Sequence, residues 1–218
     1  MPSSAPFPRG RLWGRPRRRP ASEVHVSSQP RGRDRGAVER AVAELIRGLG
    51  LDPSRDPELA QTPSRVADLY LEVFSGLEPD SEPDLVTFPH SGSDDLVAVR
   101  DLPFHSLCVH HFIPFFGRAH LVYVPGERII GVSGVARLVD HYARRPQLQE
   151  RMTAQIADHV EKLLRPRGVA VLLEARHLCM EMRGVRRFGR VETRVVRGAL
   201  RDTPWTELWS GGRRKAGR

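Results

Sequence analysis

Apolar residues recur every three or four positions in two stretches near the start of the chain, which predicts two amphipathic helices. The first begins after Asp34 and ends at the glycines of residues 48–50. The second begins at Thr62, which reads as an N-cap followed by Pro63 at the first helical position, and it ends near Gly76. These two helices predict a helical region that precedes the rest of the fold.

From Leu96 onward the pattern changes to short runs typical of β-strands, interrupted by two further helices. One helix is predicted to start at Ser133 as its cap and to break at Pro146, and a longer one follows and ends before Pro166. The predicted strands lie at residues 96–99, 118–124, 128–132, 169–175 and 191–200, the last two as a hairpin. Strands, then two helices, then strands argue for an α+β fold with an antiparallel sheet.

Composition divides the chain further. The N-terminal residues are rich in proline, arginine, serine and glycine and have no apolar periodicity, so we expect them to be disordered. The resulting domain prediction is a disordered basic tail at 1–35, an N-terminal helical region at 36–95, a catalytic domain at 96–201 and a basic C-terminal tail at 202–218.

The formal net charge of +9 is concentrated in those tails. Residues 1–36 carry +7 and residues 201–218 carry +3, and subtracting both from +9 leaves −1 for the intervening chain. Basic tails can bind polyanions, but a solubilising extension is the favoured interpretation and nucleic acid is not an expected partner. No apolar run approaches the ~20 residues that span a bilayer, and no secretory signal is evident. We therefore expect a soluble, cytoplasmic protein without a membrane partner.

The two cysteines of the chain each have a histidine close by in sequence. Zinc takes thiolate and imidazole ligands, and catalytic zinc sites keep three protein ligands and one open position. Cys108, His111 and Cys179 would supply such a set, and His110 and His177 would remain as proton carriers beside the metal. A disulfide between the two cysteines, or two unrelated buried cysteines, are the alternatives; the neighbouring histidines favour the metal.

Several segments together carry a family resemblance. They are Phe104 to Pro114, Gly131-Val-Ser133, Arg144 to Arg151, and His177-Leu-Cys179-Met-Glu-Met-Arg183-Gly184. In this order they resemble the GTP cyclohydrolase I family over roughly residues 37–201. The resemblance implies the tunnelling fold, an antiparallel sheet with two helices on one face, here preceded by N-terminal helices. It also implies a zinc-dependent homodecamer that converts GTP to 7,8-dihydroneopterin triphosphate and formate.

The resemblance implies roles for the metal-binding and proton-carrying residues. Cys108, His111 and Cys179 match the zinc ligands of the family. His110 matches a histidine that handles the proton of the imidazole ring, and His177 matches a second proton carrier for ring opening and formate release.

The resemblance also implies substrate contacts. Ser133, counted among the catalytic residues, and Gln149 match residues near the ribose and base. Glu150 matches the carboxylate that accepts hydrogen bonds from guanine N1 and the 2-amino group. Arg137 and Arg183 match triphosphate-binding arginines, whose forked donors suit phosphate oxygens.

Two positions depart from the family pattern. Val109 stands where the family usually has glutamate, and Gly134 stands where it has a lysine near the triphosphate. A diverged paralogue in specialised pterin or deazapurine metabolism is therefore an alternative. A non-catalytic zinc-containing protein whose tails bind nucleic acid, and another pterin enzyme of the same fold, are further alternatives.

Overall fold

The computed structural model describes residues 32–91 and 96–209. The predicted tails lie outside these residues for positions 1–31 and 210–218. The helices are α1 (Arg35–Gly48), α2 (Thr62–Val73), α3 (Val132–Ala143), α4 (Gln149–Leu164), α5 (Leu178–Glu181) and α6 (Trp205–Trp209). The strands are β1 (Thr87–Pro89), β2 (Val97–Cys108), β3 (Pro114–Val124), β4 (Arg128–Ile130), β5 (Pro146–Gln147), β6 (Gly168–His177) and β7 (Arg190–Gly198).

Five strands form the main sheet in the order β5-β2-β3-β6-β7. Neighbours are antiparallel from β2 to β7, and only the two-residue β5 runs parallel to β2. Helices α3 and α4 contribute the buried residues that complete the main core with this sheet. The predicted α+β class, an antiparallel sheet with two helices and with helices before it, is confirmed.

Alternation along β3 shows how the sheet separates its two faces. Phe115, Ala119, Leu121 and Tyr123 are buried in the main core with residues of α3 and α4. Side chains alternate across a strand, so Val122 points to the opposite face. There it joins a smaller apolar cluster with Ala170, Leu200 and Leu208.

The smaller cluster includes a residue beyond the predicted catalytic domain. Leu208 of α6 is 2% exposed, although it belongs to the segment predicted as a C-terminal tail. The Arg100 guanidinium also donates a hydrogen bond to the Leu208 carbonyl, at 3.0 Å. Leu208 and Trp209 therefore pack on this second face of the sheet.

The N-terminal helices pack against each other ahead of the sheet. Asp34 caps α1 by accepting a hydrogen bond from the Ala37 amide at 2.9 Å. Arg35 at the start of α1 forms an ion pair with Asp68 of α2 at 2.6 Å. Among residues 32–91 and 96–209, no helix has the length and apolar character needed to cross a membrane.

Two helix starts differ by a residue or two from the predictions. Ser133 does not cap α3: Gly131 occupies the cap position in extended conformation, and Ser133 lies exposed inside the first turn. Thr62 is the first residue of α2 rather than its cap, which is Gln61. At the starts of α2 and α3, within the described residues, no side chain forms a capping hydrogen bond.

Candidate active site

The end of the sheet brings the two cysteine segments together. Strand β2 ends at Cys108 and strand β6 ends at His177, with β3 hydrogen-bonded between them. Phe115, near the start of β3, is the pairing partner of His177. The turn after β2 and the single-turn helix after β6 therefore meet at the same end of the sheet, although their cysteines are far apart in sequence.

Backbone hydrogen bonds hold the turn that carries the first cysteine. The Cys108 amide donates to the Ile113 carbonyl at 3.0 Å, and the Phe112 amide donates to the Cys108 carbonyl at 2.9 Å. The Val109 amide donates to the carbonyl of Gln147 in β5 at 2.9 Å. Phe112 closes the turn with φ of 51°, in the left-handed region. The sulfur of Cys108 is thus carried on a fixed backbone.

Cys108, His111 and Cys179 form a group of potential metal ligands, called here the ligand trio. Their ligand atoms all lie within 4.8 Å of one another, and Cys108 Sγ is 3.6 Å from His111 Nδ1. Zinc–sulfur and zinc–nitrogen bonds in a tetrahedral site place donor atoms about 3.5–3.8 Å apart. Both cysteines are free, so the disulfide alternative is not what the structure contains. The donor set and its spacing are compatible with zinc.

The protonation of Cys179 also bears on a metal. Burial raises the pKa of the Cys179 thiol, and the neighbouring Cys108 raises it further. Two thiolates side by side in a half-buried site need a compensating positive charge, which a divalent cation provides.

His177 is held beside the ligand trio by an aromatic ring. Its imidazole stacks on the Phe115 ring with centroids 4.8 Å apart and planes 6° from parallel. Burial lowers the pKa of His177, and the carboxylates of Glu150 and Glu181 oppose that shift. Since the ordinary value is near 6.5, this shift favours the neutral form of the ring at pH 7.

Gln149 contacts His177 directly from the first residue of α4. The Gln149 Oε1 atom lies 2.7 Å from His177 Nε2. The Gln149 amide nitrogen donates to the carbonyls of Leu173 and Val191, both at 2.9 Å. Only 2% of Gln149 is exposed. Both ends of this buried amide group therefore have partners within the protein.

His110 and Arg183 lie on the solvent side of the ligand trio. The His110 and His111 rings are 6.1 Å apart between centroids, and both residues are exposed. The Arg183 guanidinium contacts His111 Nε2. The structure thus brings a predicted phosphate-binding arginine to a predicted metal ligand.

The remaining predicted site residues are exposed. Glu150 lies at the start of α4, near enough to His177 to affect its pKa. Ser133 and Arg137 lie one turn apart on α3, and among the described residues neither is hydrogen-bonded to the ligand trio. Arg137 lines a cavity of about 490 Å³ with residues of the segment 75–83, and no member of the trio lines it.

Sequence reasoning did not identify Phe115 as part of the site. Its stacking on His177 depends on the β3–β6 register, which the sequence pattern does not specify. The only sequence clue is that Phe115 follows the histidine pair within an apolar run.

Comparison with known proteins decides the family. The family model described as GTP cyclohydrolase I matches residues 38–208. The chain belongs to the GTP cyclohydrolase I family. The α+β structure with its curled sheet is consistent with the tunnelling fold of that family, and the resemblance predicted from the sequence is confirmed.

Curated members of the GTP cyclohydrolase I family cover most of the chain. GTP cyclohydrolase 1 of Mycobacterium tuberculosis is 50% identical over 179 residues, or 81% of this chain and 88% of that protein. The Thermobifida fusca protein of the same name is 48% identical over 177 residues, or 80% and 85% of the two chains. The Bacillus subtilis one is 46% identical over 167 residues, or 76% and 87%. The prediction that the chain is an enzyme of this family is confirmed.

One solved structure similar to this chain is an archaeosine synthase QueF-Like in its apo form. The TM-score is 0.41 at 19% identity, with 49% of this chain and 97% of that chain covered.

Proposed function

We propose that the chain is a zinc-dependent enzyme that hydrolyses GTP at purine C8 and yields 7,8-dihydroneopterin triphosphate and formate, for folate or pterin biosynthesis. The observation that carries the proposal is the ligand trio, whose sulfur and nitrogen atoms lie within 4.8 Å of one another beside His177. Family membership supports GTP as the substrate.

The ligand trio would hold the zinc ion. When bound, zinc supplies Lewis-acid activation of a water molecule at neutral pH. Three protein ligands are the number that catalytic zinc sites use, whereas structural sites use four.

The chain's own side chains would handle protons and bind the nucleotide. Burial lowers the pKa of His177 and so favours its neutral form, which can accept a proton during ring opening. His110 is exposed beside His111 and would transfer the proton of the imidazole ring of the purine. Glu150, also exposed, would accept hydrogen bonds from guanine N1 and the 2-amino group.

The phosphate end of the nucleotide would contact Arg183 and Arg137, both exposed, with Ser133 nearer the ribose. Ser133 and Arg137 share an exposed side of α3, away from the hydrogen bonds of the ligand trio. We therefore propose a homo-oligomer, a decamer by family resemblance, in which a site draws residues from more than one copy. Light scattering of the purified protein measures that state, and a monomer with full activity contradicts it.

The decisive experiment measures turnover and metal in one sample. Full-length protein loaded with zinc is incubated with GTP, the product is oxidised to fluorescent neopterin, and formate is determined separately. We expect both products in equal amounts. Metal-replete protein that forms neither product contradicts the proposal.

Cys108→Ser separates the metal assignment from the reaction. We expect this variant to lose stoichiometric zinc and at least 10²-fold in turnover, since a metal ligand is removed from the open site. His105→Asn, an exposed histidine of the same strand outside the ligand trio, is the matched control and should retain zinc. Undiminished turnover of Cys108→Ser contradicts the metal assignment.

A further inference from the structure

The hydrogen-bond partners of Gln149 distinguish the nitrogen of its side-chain amide from the oxygen. The carbonyl oxygens of Leu173 and Val191 can only accept, so the nitrogen of the Gln149 amide must face them and donate both of its hydrogens. This fixes the orientation of the amide group by its partners. The oxygen of the Gln149 amide is left to face His177.

That oxygen can only accept, and this determines the tautomer of His177. The 2.7 Å contact between Gln149 Oε1 and His177 Nε2 requires a hydrogen on Nε2. In a neutral imidazole with Nε2 protonated, Nδ1 carries the lone pair. Gln149 is thus complementary to one of the two neutral tautomers of His177 and excludes the other.

Further contacts restrict movement of both groups. Stacking on Phe115 fixes the plane of the His177 ring. The Thr153 hydroxyl donates to the backbone carbonyl of Gln149 at 2.7 Å and lies 2.6 Å from the Thr193 hydroxyl on β7. Gln149 therefore joins α4, β6 and β7 at the point where His177 leaves the sheet.

We propose that Gln149 is a positioning residue, which holds His177 in the tautomer protonated at Nε2 and thereby keeps Nδ1 available as the acceptor in the reaction. This inference rests on the proposed function for its catalytic consequence and on the hydrogen bonds alone for the tautomer. It gives Gln149 a different role from the predicted position near the ribose and base.

The two roles of Gln149 predict different kinetics. A residue that contacts substrate raises KM when it is removed, whereas one that orients a proton carrier lowers kcat. Gln149→Met fills the site without any hydrogen-bonding atom, and we expect kcat to fall about 10²-fold while KM changes by less than about 3-fold. Gln149→Glu keeps an acceptor for His177, and its kcat should lie between those of wild type and Gln149→Met.

Gln147 provides a matched control. It is 1% exposed, and its side chain contacts the Tyr142 carbonyl, Gln155 and Arg151 rather than His177. Gln147→Met creates the same loss of buried amide bonds, so a general loss of stability affects both variants. We expect its kcat to stay within about 3-fold of wild type once both are assayed below their unfolding temperatures.

A second measurement does not depend on turnover or on the folding of a variant. Long-range ¹H–¹⁵N spectra of zinc-loaded wild type labelled at histidine report which ring nitrogen carries the hydrogen, with His177→Gln identifying the resonance. We expect hydrogen on Nε2 of His177. Hydrogen on Nδ1, or a variant Gln149→Met with unchanged kcat and raised KM, overturns the inference. Absence of GTP turnover in the wild type overturns the proposed function instead, and the spectrum still decides the tautomer.

Discussion

Cys179 illustrates how a single side chain depends on its surroundings. Its thiol is half-buried next to Cys108, and both conditions raise its pKa above the ordinary value. Zinc binds the thiolate, so binding must release protons, more of them when the thiol pKa is raised. The site should therefore bind zinc less tightly as the pH falls.

This pH dependence can be measured with a colorimetric zinc chelator. We expect the fraction of zinc released to rise steadily on acidification from about pH 8 to pH 5. Cys179→Ser should release its zinc at every pH in that range, because only two members of the ligand trio remain. Equal retention of zinc by the wild type at both ends of the range contradicts thiolate ligation.

Among individual residues, the sequence could identify the ligand trio, because cysteine and histidine are rare and their metal-binding chemistry is distinctive. It could not identify the role of Gln149, a common residue at the start of a helix. The two carbonyls that receive its hydrogens belong to residues 24 and 42 positions away, and no local pattern relates them. Family resemblance assigned it to substrate, whereas its hydrogen bonds join it to His177.

At the scale of elements, the packing of helix α3 against strand β4 leaves little room for a side chain at Gly134. Gly134 is buried in its first turn, and a Cβ atom there would lie 2.9 Å from Ile130 Cγ1 and 3.1 Å from Ile130 Cδ1. A side chain at this position would press against β4. The lysine expected in this family has no open space next to the helix without a shift of Ile130.

Gly134→Ala tests that packing. Alanine gains up to ~1 kcal/mol of helix propensity over glycine, but overpacking a core costs about 1–3 kcal/mol. We expect the free energy of unfolding to fall by about 1 kcal/mol, measured by urea denaturation. Gly48→Ala at the end of α1 is the control: its Cβ would meet nothing within 4 Å, so the same change there should be neutral or stabilising. An equal effect at both positions contradicts the argument.

The four long helices were predictable from periodicity because each buries one face. Strand β2 is longer than predicted: it spans Val97–Cys108, whereas the apolar pattern predicted only residues 96–99. The sequence did not predict β1 and β5, which have three and two residues and present no alternation. Nor did it predict which residue begins α2 and α3. Serine and threonine favour cap positions in general, but the backbone bonds around Gly131 and Gln61 place the helix starts one or two residues away.

For the molecule as a whole, buried and half-buried histidines link stability to pH. Burial lowers the pKa of His141, His159 and His177 in the folded protein. The unfolded chain takes up protons on these rings near pH 6.5, before the folded chain does. Stability rises with pH wherever the unfolded state binds more protons. The free energy of unfolding should therefore fall as the pH drops below about 6.5, until the folded-state pKa values are reached.

His141→Gln should weaken this dependence. The imidazole of His141 contacts the Ser81 carbonyl at 2.8 Å and the Arg145 guanidinium at 2.6 Å. Burial, the Arg145 cation and, least, His159 lower the pKa of His141, and the Ser81 carbonyl and Glu82 oppose them. We expect the variant to show a smaller difference in urea midpoint between about pH 7.5 and pH 5.5 than the wild type. If the urea midpoints of variant and wild type shift equally between these pH values, His141 does not contribute to the pH dependence of stability.

The pairing of β3 with β6 has a consequence for how the protein reaches its active form. A shift of one residue in that pairing would turn every side chain of a strand to the other face. It would also separate Phe115 from His177 and carry Cys179 away from Cys108. A metal ion that requires all three ligands would bind the sheet with the correct β3–β6 pairing and would not bind a sheet in which that pairing is shifted. Zinc supplied during folding should therefore select the native arrangement, acting as a check on strand pairing before any substrate is bound.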